Sequence, residues 1–335
     1  MTRLILHIGY PKTGTTTLQD GLFVDLHFQG LIHYLGRAMY NRPERFSKGG
    51  ISRTALMSDS LYLNRDLNKA GLIFKPGKLN VLSEETLVYS KEYREIILKK
   101  ECTSPFTFPE RIRDFLEDKI DDILILLTLR NPTSLIYSFY VEHYRFFAND
   151  TTKDSLQKSL FDDKEKLKKP ILSTCYFCEL LDKYAVCFGK DKIRILLFED
   201  LQNDLEIFSH ELASLLDIDK DRVKRVFEKV HYRKKVNSDS GYETEIINKT
   251  VAGKLFDNIR NTPFLRKPLN LVELRIKNYI PITMKKVFYP RKKVSIPKLS
   301  EEEREKIFNE FKPHNQRLST DYGIEIEKLK KYNYV

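Results

Sequence analysis

Residues 4 to 17 read Leu4-Ile5-Leu6-His7-Ile8-Gly9-Tyr10-Pro11-Lys12-Thr13-Gly14-Thr15-Thr16-Thr17. The apolar run Leu4–Ile8 is continuous rather than alternating, which is typical of a buried parallel strand. Leu18, Leu22 and Leu26 follow at helical spacing, so the intervening turn joins a strand to a helix. A glycine-containing turn of this kind presents backbone N–H groups at the positive end of a helix. The stretch therefore predicts a phosphate site.

Three further apolar runs indicate strands of the same sheet, and they cover Leu79–Leu82, Ile123–Leu129 and Ile193–Phe198. Helix-like segments separate these runs, which is the βαβ pattern of an α/β fold. We expect one domain over residues 1–335, with a central, mostly parallel sheet flanked by helices. Ligands bind outside the carboxyl ends of such strands. The residues that follow the four strands should therefore converge on one edge; they are Lys12, Ser83-Glu84-Glu85, Arg130 and Glu199-Asp200.

The turn after the first strand differs from the loop of nucleotide triphosphatases. That loop has the form G-x-x-x-x-G-K-[ST]. Gly9 and Gly14 have the right separation, but Thr15 occupies the lysine position and the lysine lies inside the turn, at Lys12. The strand Ile123–Leu129 is followed by Arg130, where such enzymes need an aspartate for magnesium. The pattern favours an anionic nucleotide held by protein donors, without a metal.

A second anion site is predicted where the strand Ile123–Leu129 ends. Asn131 is a good N-cap and Pro132 a good first helical residue, so a helix should begin just after Arg130. The arginine offers a planar fork for a phosphate, and Ser138, about two turns into the helix, can donate a hydroxyl.

The two segments together resemble the nucleotide-binding elements of sulfotransferases that use 3′-phosphoadenosine 5′-phosphosulfate (PAPS), which have a P-loop-like fold. The resemblance implies that Lys12 contacts the phosphosulfate bridge and that the 5′-phosphate is bound by Thr13, Gly14, Thr15 and Thr16. It places Thr17 near the nucleotide, where cytosolic aryl sulfotransferases often have an adenine-stacking tryptophan. This chain contains no tryptophan. Arg130 and Ser138 correspond to the 3′-phosphate site.

The segment Ser83-Glu84-Glu85-Thr86-Leu87 resembles bacterial and carbohydrate-type sulfotransferases, which use a glutamate as the catalytic base. The resemblance favours Glu85, and Glu84 stays open as the alternative. Either acid could instead belong to the first turn of a helix and interact with its dipole. His7 and His143 are expected to be structural histidines, with His143 kept as a candidate acceptor-pocket residue.

Charge and composition narrow the partners. The net charge of +11 favours anionic partners, including acidic glycans, acidic membrane surfaces and a polyanionic cofactor. No nucleic-acid module is recognisable. No apolar run approaches the roughly 20 residues of a membrane span, and no signal peptide is recognisable, so a cytoplasmic location with at most peripheral membrane association is expected. Cys175 and Cys178 have C-x-x-C spacing, but their amphipathic surroundings indicate core thiols rather than a metal site.

The sequence therefore predicts a sulfotransferase that moves a sulfuryl group from PAPS to a hydroxyl or amine, on a carbohydrate or glycolipid. Helical segments at about 40–75, 150–190 and 240–298 are expected to shape the acceptor pocket. Two alternatives stay open. One is a nucleotide-dependent kinase with an altered loop, and the other is a non-catalytic binder of acidic glycans.

Overall fold

A computed structural model describes residues 1–37, 74–98, 102–147, 160–161, 167, 172–229, 242–247 and 291–335. Of the segments predicted to shape an acceptor pocket, 40–73, 150–159 and 248–290 lie outside the described residues.

The centre of the fold is a five-stranded sheet in which all neighbouring strands are parallel. The strands are β1 (Arg3–His7), β2 (His33–Arg37), β3 (Leu79–Ser83), β4 (Asp122–Leu129) and β5 (Ile193–Leu197). Their order across the sheet is β2-β3-β1-β4-β5. The parallel α/β sheet predicted from the apolar runs is confirmed, and four of its strands lie where those runs placed them.

The edge strand β2 had no counterpart among the predicted strands. Its sequence His33-Tyr34-Leu35-Gly36-Arg37 is short and contains a glycine, which weakens a strand pattern. The pairing of β2 with β3 shifts register between Tyr34 and Gly36. Such an irregularity is common at the edge of a sheet.

Helices flank the sheet. After β1, a π-helical segment (Thr17–Leu22) continues into α1 (Phe23–Phe28). The remaining α-helices of the described residues are α2 (Lys91–Leu98), α3 (Phe108–Leu116), α4 (Pro132–Phe147), α5 (Phe177–Phe188), α6 (Phe198–Asn203), α7 (Leu205–Leu216), α8 (Lys220–Lys229), α9 (Glu301–Thr320) and α10 (Ile326–Lys331). Short 3₁₀ turns cover Glu85–Val88, Pro105–Thr107, Ser173–Cys175 and Lys190–Lys192.

The helix after β1 packs onto the sheet through its predicted leucine face. Leu18, Leu22 and Leu26 are all fully buried, in one cluster with Phe208 of α7 and Phe227 of α8. The two phenylalanine rings meet edge to face, with centroids 5.7 Å apart. This apolar layer holds the start of the helix, and hence the turn before it, against the sheet.

The chain divides into two compact units. The first comprises residues 1–140, 157–235 and 299–335 and contains the parallel sheet. In the second, described residues form the antiparallel pair β6 (Tyr242–Ile247) and β7 (Arg291–Ile296). At the two ends of the segment 240–298, for which the sequence indicated helix, the described residues are thus strands. The expectation of one domain over residues 1–335 stays a prediction. No helix in the described ranges is long and apolar enough to cross a membrane.

Candidate active site

The turn after β1 lies at the carboxyl edge of the sheet, between β3 and β4. β1 pairs with both of these strands, which brings the residues following all three to one place. Beyond the strand, the Ile8 N–H donates to the Leu126 carbonyl at 2.9 Å and the Tyr10 N–H to the Thr128 carbonyl at 3.3 Å. The chain therefore stays attached to β4 as it enters the turn.

Two residues of the turn adopt left-handed backbone conformations. Lys12 has φ 66° and Gly14 has φ 79°. A glycine adopts this conformation without strain, whereas a lysine does so at a cost. At Gly14 the backbone also lies close to its neighbours, because a Cβ atom there would lie 2.6 Å from Leu201 Cδ2. The turn is thus tightly curved and in close contact with the residues after β5.

The threonines of the turn differ in their burial and in the hydrogen bonds of their hydroxyl groups. Thr13 is buried and donates to the Tyr10 carbonyl. Thr15 is buried and donates from Oγ1 to Glu85 Oε2 at 2.7 Å. Thr16 is exposed and Thr17 half-buried. Thr16 precedes the π-helical segment and makes no side-chain capping bond.

The two glutamates after β3 have different environments. Glu84 is buried, and its Oε1 accepts from the Thr86 N–H at 3.0 Å and the Thr86 hydroxyl at 2.6 Å. It caps the 3₁₀ turn Glu85–Val88 from the residue before that turn. Glu85 is half-buried and contacts the turn after β1 through Thr15. Of the pair, the structure therefore joins Glu85 to the turn.

His7 lies beneath the turn, in β1. Its Nδ1 lies 2.7 Å from Ser83 Oγ and its Nε2 lies 2.9 Å from Thr128 Oγ1, so it bridges the two neighbouring strands. Gln19 donates to the same Ser83 hydroxyl at 2.8 Å. Burial lowers the pKa of His7 to about 3, so the ring is neutral near pH 7. His7 is a structural histidine, as the sequence indicated, whereas the side chain of His143 lies outside the described residues.

Arg130 holds the turn from the other side. Its guanidinium donates from NH1 to the Lys12 carbonyl at 2.9 Å and from Nε to Ser134 Oγ at 3.0 Å. The Arg130 Cζ lies 4.8 Å from the centroid of the Phe198 ring, a cation–π contact. Sequence reasoning missed both Ser134 and Phe198. Ser134 could have been noticed as the residue one helical turn before Ser138 on the same face of α4.

The helix α4 begins as the sequence predicted. It starts at Pro132, and the Asn131 side chain accepts from the Ser134 N–H at 3.1 Å. Ser138 is half-buried on this helix, four residues beyond Ser134. Ser134 and Ser138 therefore lie one turn apart on one face of α4, and Arg130, which precedes the helix, reaches the first of them.

The thiols of the C-x-x-C pair are buried and do not form a disulfide. Cys175 and Cys178 are both free, and burial raises the pKa of each to about 12. Among the described residues, no cluster of three or more histidine, cysteine or acidic side chains is arranged to hold a metal ion.

A family model and several solved structures are similar to this chain. Residues 3–288 match the family model described as the sulfotransferase domain. No curated protein matches the chain. Among solved structures, a sulfotransferase from Alicyclobacillus acidocaldarius is 17% identical, covering 65% of this chain and 81% of its own, with a TM-score of 0.38. A mouse sulfotransferase complexed with PAP is 13% identical, covering 68% and 64%, with a TM-score of 0.37.

A retinol dehydratase in complex with androsterone and the inactive cofactor PAP is 14% identical, covering 71% of this chain and 66% of its own, with a TM-score of 0.36. Structural similarities with TM-scores this low support no conclusion about the ligands of this chain. The assignment to a family rests instead on the match to the family model. That match extends over most of the chain and includes the turn after β1, both glutamates and Arg130. The chain belongs to the sulfotransferase domain family, and it is a sulfotransferase.

Proposed function

We propose that this sulfotransferase takes its sulfuryl group from PAPS and transfers it to a hydroxyl or amine of a carbohydrate or glycolipid. The observation that carries the proposal is the contact between the two predicted phosphate sites. Arg130 donates to the carbonyl of Lys12, so the residues expected to hold the two ends of adenosine 3′,5′-bisphosphate (PAP) are joined directly.

The residues present fit such a donor. The first helical bond after the turn runs from the Leu18 N–H to the Gly14 carbonyl, so the N–H groups of Thr15, Thr16 and Thr17 precede it. Such N–H groups at a helix start bind phosphate. Because the Thr13 and Thr15 hydroxyls donate within the protein, we expect these two residues to contribute backbone donors to the 5′-phosphate rather than hydroxyls.

PAPS supplies the sulfuryl group, and its bridging sulfur–oxygen bond breaks as the acceptor oxygen or nitrogen bonds to sulfur. The side chain of Lys12 is expected to neutralise the charge that gathers on the departing 5′-phosphate oxygen. Arg130 and Ser138 hold the 3′-phosphate in this proposal. Thr17 lies beside the nucleotide at the start of the helix.

Glu85 is the proposed catalytic base and takes the proton of the acceptor. Its bond to Thr15 places a half-exposed carboxylate against the turn that holds the donor. Glu84 is the weaker candidate because its carboxylate is buried and accepts two bonds from Thr86. We assign Glu84 to supporting the 3₁₀ turn that carries Glu85.

The acceptor class is supported by charge and by the Ser83-Glu84-Glu85 segment. A net charge of +11 favours an anionic acceptor, such as an acidic glycan or a glycolipid in an acidic membrane surface. The segments proposed to shape the acceptor pocket are those at about 40–75, 150–190 and 240–298.

The donor is tested by thermal-shift titration with PAP, with 5′-AMP and with ATP plus Mg²⁺. We expect PAP to stabilise the protein most, because it has both phosphates that the two sites require. An Arg130→Ala variant should lose most of its preference for PAP over 5′-AMP, since only Ser138 of the two proposed 3′-phosphate contacts is left. Stabilisation by ATP with Mg²⁺ but not by PAP would overturn the proposal and favour the kinase alternative.

The base is tested by comparing Glu85→Gln with the matched variant Glu84→Gln. With PAPS and a panel of sulfatable glycans, kcat of Glu85→Gln should fall at least about a hundredfold, the usual contribution of a general base. Glu84→Gln should lose stability but keep most of its turnover. The reverse pattern would make Glu84 the base, and full turnover by both variants would favour a different base. Lys12→Ala should abolish transfer while leaving the fold intact.

A further inference from the structure

One turn of helix after β5 lies between the donor site and a distant part of the chain. Phe198 and Leu201, at the two ends of this turn, contact the donor site: Phe198 lies under the Arg130 guanidinium, and Leu201 lies against Gly14. The two residues between them, Glu199 and Asp200, make their contacts elsewhere. The turn therefore has one apolar side toward the donor site and one acidic side away from it.

The acidic side binds the segment Lys328–Tyr334, which we call the 328–334 segment. The Tyr334 hydroxyl donates to Glu199 Oε2 at 3.1 Å, and the Tyr332 hydroxyl donates to Asp200 Oδ1 at 2.9 Å. Lys328 Nζ lies 2.7 Å from Asp200 Oδ2. These contacts span more than a hundred residues of sequence.

Asn131 connects the same segment to the residue beside Arg130. Its backbone N–H donates to Glu199 Oε1 at 2.8 Å, and its side-chain Nδ2 donates to the carbonyls of Tyr332, at 3.1 Å, and Asn333. Its Oδ1 accepts from the Ser134 N–H. Ser134 in turn accepts from Arg130, so hydrogen bonds run without interruption from the 328–334 segment to the guanidinium.

The residues that connect the 328–334 segment to Arg130 are buried, which favours a single arrangement of their hydrogen bonds. Asn131, Glu199 and Asp200 are each at most 9% exposed, and Tyr334 is fully buried. A buried carboxylate is costly unless it is hydrogen-bonded, so these groups favour one arrangement strongly over its alternatives. Burial also raises the pKa of Glu199, while the Asn131 and Tyr334 hydrogen bonds act against that rise.

We propose that the 328–334 segment is a positioning element of the donor site. It acts through Glu199 and Asn131 to fix the Arg130 guanidinium, and through Arg130 it fixes the carbonyl of Lys12. This inference rests on the proposed donor site at Lys12 and Arg130. The segment itself does not contact the donor in this scheme; it sets the orientation of residues that do.

The test uses tyrosine-to-phenylalanine changes, which remove one hydroxyl and little else. Tyr334→Phe and Tyr332→Phe each remove a bond to the acidic turn. Tyr322→Phe is the matched control, because the Tyr322 hydroxyl donates at 2.6 Å to a carboxylate, Asp182, that belongs to α5 and not to this connection. All three variants lose one tyrosine–carboxylate bond, so Tyr322→Phe measures how far losing such a bond away from this connection changes PAP binding.

We expect Tyr334→Phe to raise the dissociation constant of PAP by about fivefold to tenfold, measured by calorimetry well below the unfolding temperature. This change corresponds to part of the free energy of one hydrogen bond to a charged group. KM for PAPS should rise in parallel while kcat at saturating PAPS stays within about twofold. Tyr332→Phe should act in the same direction, and Tyr322→Phe should bind PAP like the wild type.

A second variant tests the route. Glu199→Ala removes the bonds of this carboxylate to both Asn131 and Tyr334 and should weaken PAP binding by itself. Adding Tyr334→Phe to it should weaken binding no further, because both changes interrupt the same connection. Wild-type PAP affinity in both Tyr334→Phe and Tyr332→Phe would overturn the inference, as would equal weakening by Tyr322→Phe. If the wild type itself does not bind PAP, the proposed function fails and this inference with it. If the wild type binds PAP and both Tyr334→Phe and Tyr332→Phe bind it equally well, this inference fails alone.

Discussion

Replacing His7 with asparagine should make the stability of this protein less sensitive to acid. His7 is fully buried between hydroxyl groups of Ser83 and Thr128, and burial lowers its pKa from 6.5 to about 3. The unfolded chain therefore binds a proton on this residue at mildly acidic pH, whereas the folded protein does not. Stability from His7 is thus present above its unfolded pKa and is lost as the pH falls toward 3.

The size of the effect follows from the two pKa values. A pKa of 6.5 in the unfolded chain and about 3 in the folded protein would lower the free energy of unfolding by about 2 kcal/mol between pH 7 and pH 5. The loss continues at about 1.4 kcal/mol per pH unit until the folded protein also binds the proton.

Urea unfolding at pH 7 and pH 5 measures this directly. Other groups also titrate in this range, so the relevant quantity is the difference in acid-induced loss between wild type and His7→Asn. The variant should be less stable at pH 7, because it leaves space in a packed site, but should lose about 2 kcal/mol less on acidification. An equal loss in wild type and His7→Asn would refute the argument.

Three other changes test the geometry of the donor site and its support. Gly14→Ala should destabilise the fold and weaken PAP binding, because it combines φ 79° with a Cβ atom 2.6 Å from Leu201 Cδ2. Its control is Gly77→Ala, at φ 73° with nothing within 4 Å of the added Cβ atom. That variant should lower the free energy of unfolding by only about 1 kcal/mol and leave PAP binding unchanged. Equal urea midpoints for these two variants would argue against close packing at Gly14. Arg130→Lys keeps the charge but loses the planar guanidinium that reaches both Ser134 and the Lys12 carbonyl, so KM for PAPS should rise at least about tenfold. An unchanged KM would mean that the positive charge alone is enough for PAPS binding. Ser300→Ala removes the capping box of α9, in which Ser300 Oγ accepts from the Glu303 N–H at 3.1 Å, and should lower the free energy of unfolding by about 1 kcal/mol with PAP affinity unchanged.

Local signals in the sequence were enough to predict most of the sheet. Buried parallel strands are continuous apolar runs, and four such runs became β1, β3, β4 and β5. The start of α4 was also predictable, because an asparagine followed by proline is a local capping signal and the Asn131 side chain does accept from Ser134. The strand β2 was missed because its five residues include a glycine, which weakens a strand pattern. Its pairing with β3 is also irregular, with a register shift between Tyr34 and Gly36.

The candidate site was predictable only up to the residues that follow each strand. Sequence reasoning brought Lys12, Glu85 and Arg130 to one edge, because parallel strands end on the same side. It could not assign their partners, since the bond from Arg130 to the Lys12 carbonyl joins residues 118 positions apart. The same holds for Tyr334 and Glu199, which are 135 positions apart. Periodicity describes how a segment packs and contains no information on which distant segment it meets.

The left-handed backbone of Lys12 has a consequence for the evolution and engineering of this enzyme. Glycine would occupy φ 66° without strain, and lysine costs about 1 kcal/mol more there. A search for stabilising substitutions would therefore favour glycine at position 12, and with it would remove the amine that transfer is proposed to need. With the role proposed for Lys12, stability and turnover are opposed at this residue, and selection for heat resistance alone should yield a more stable protein that no longer transfers the sulfuryl group.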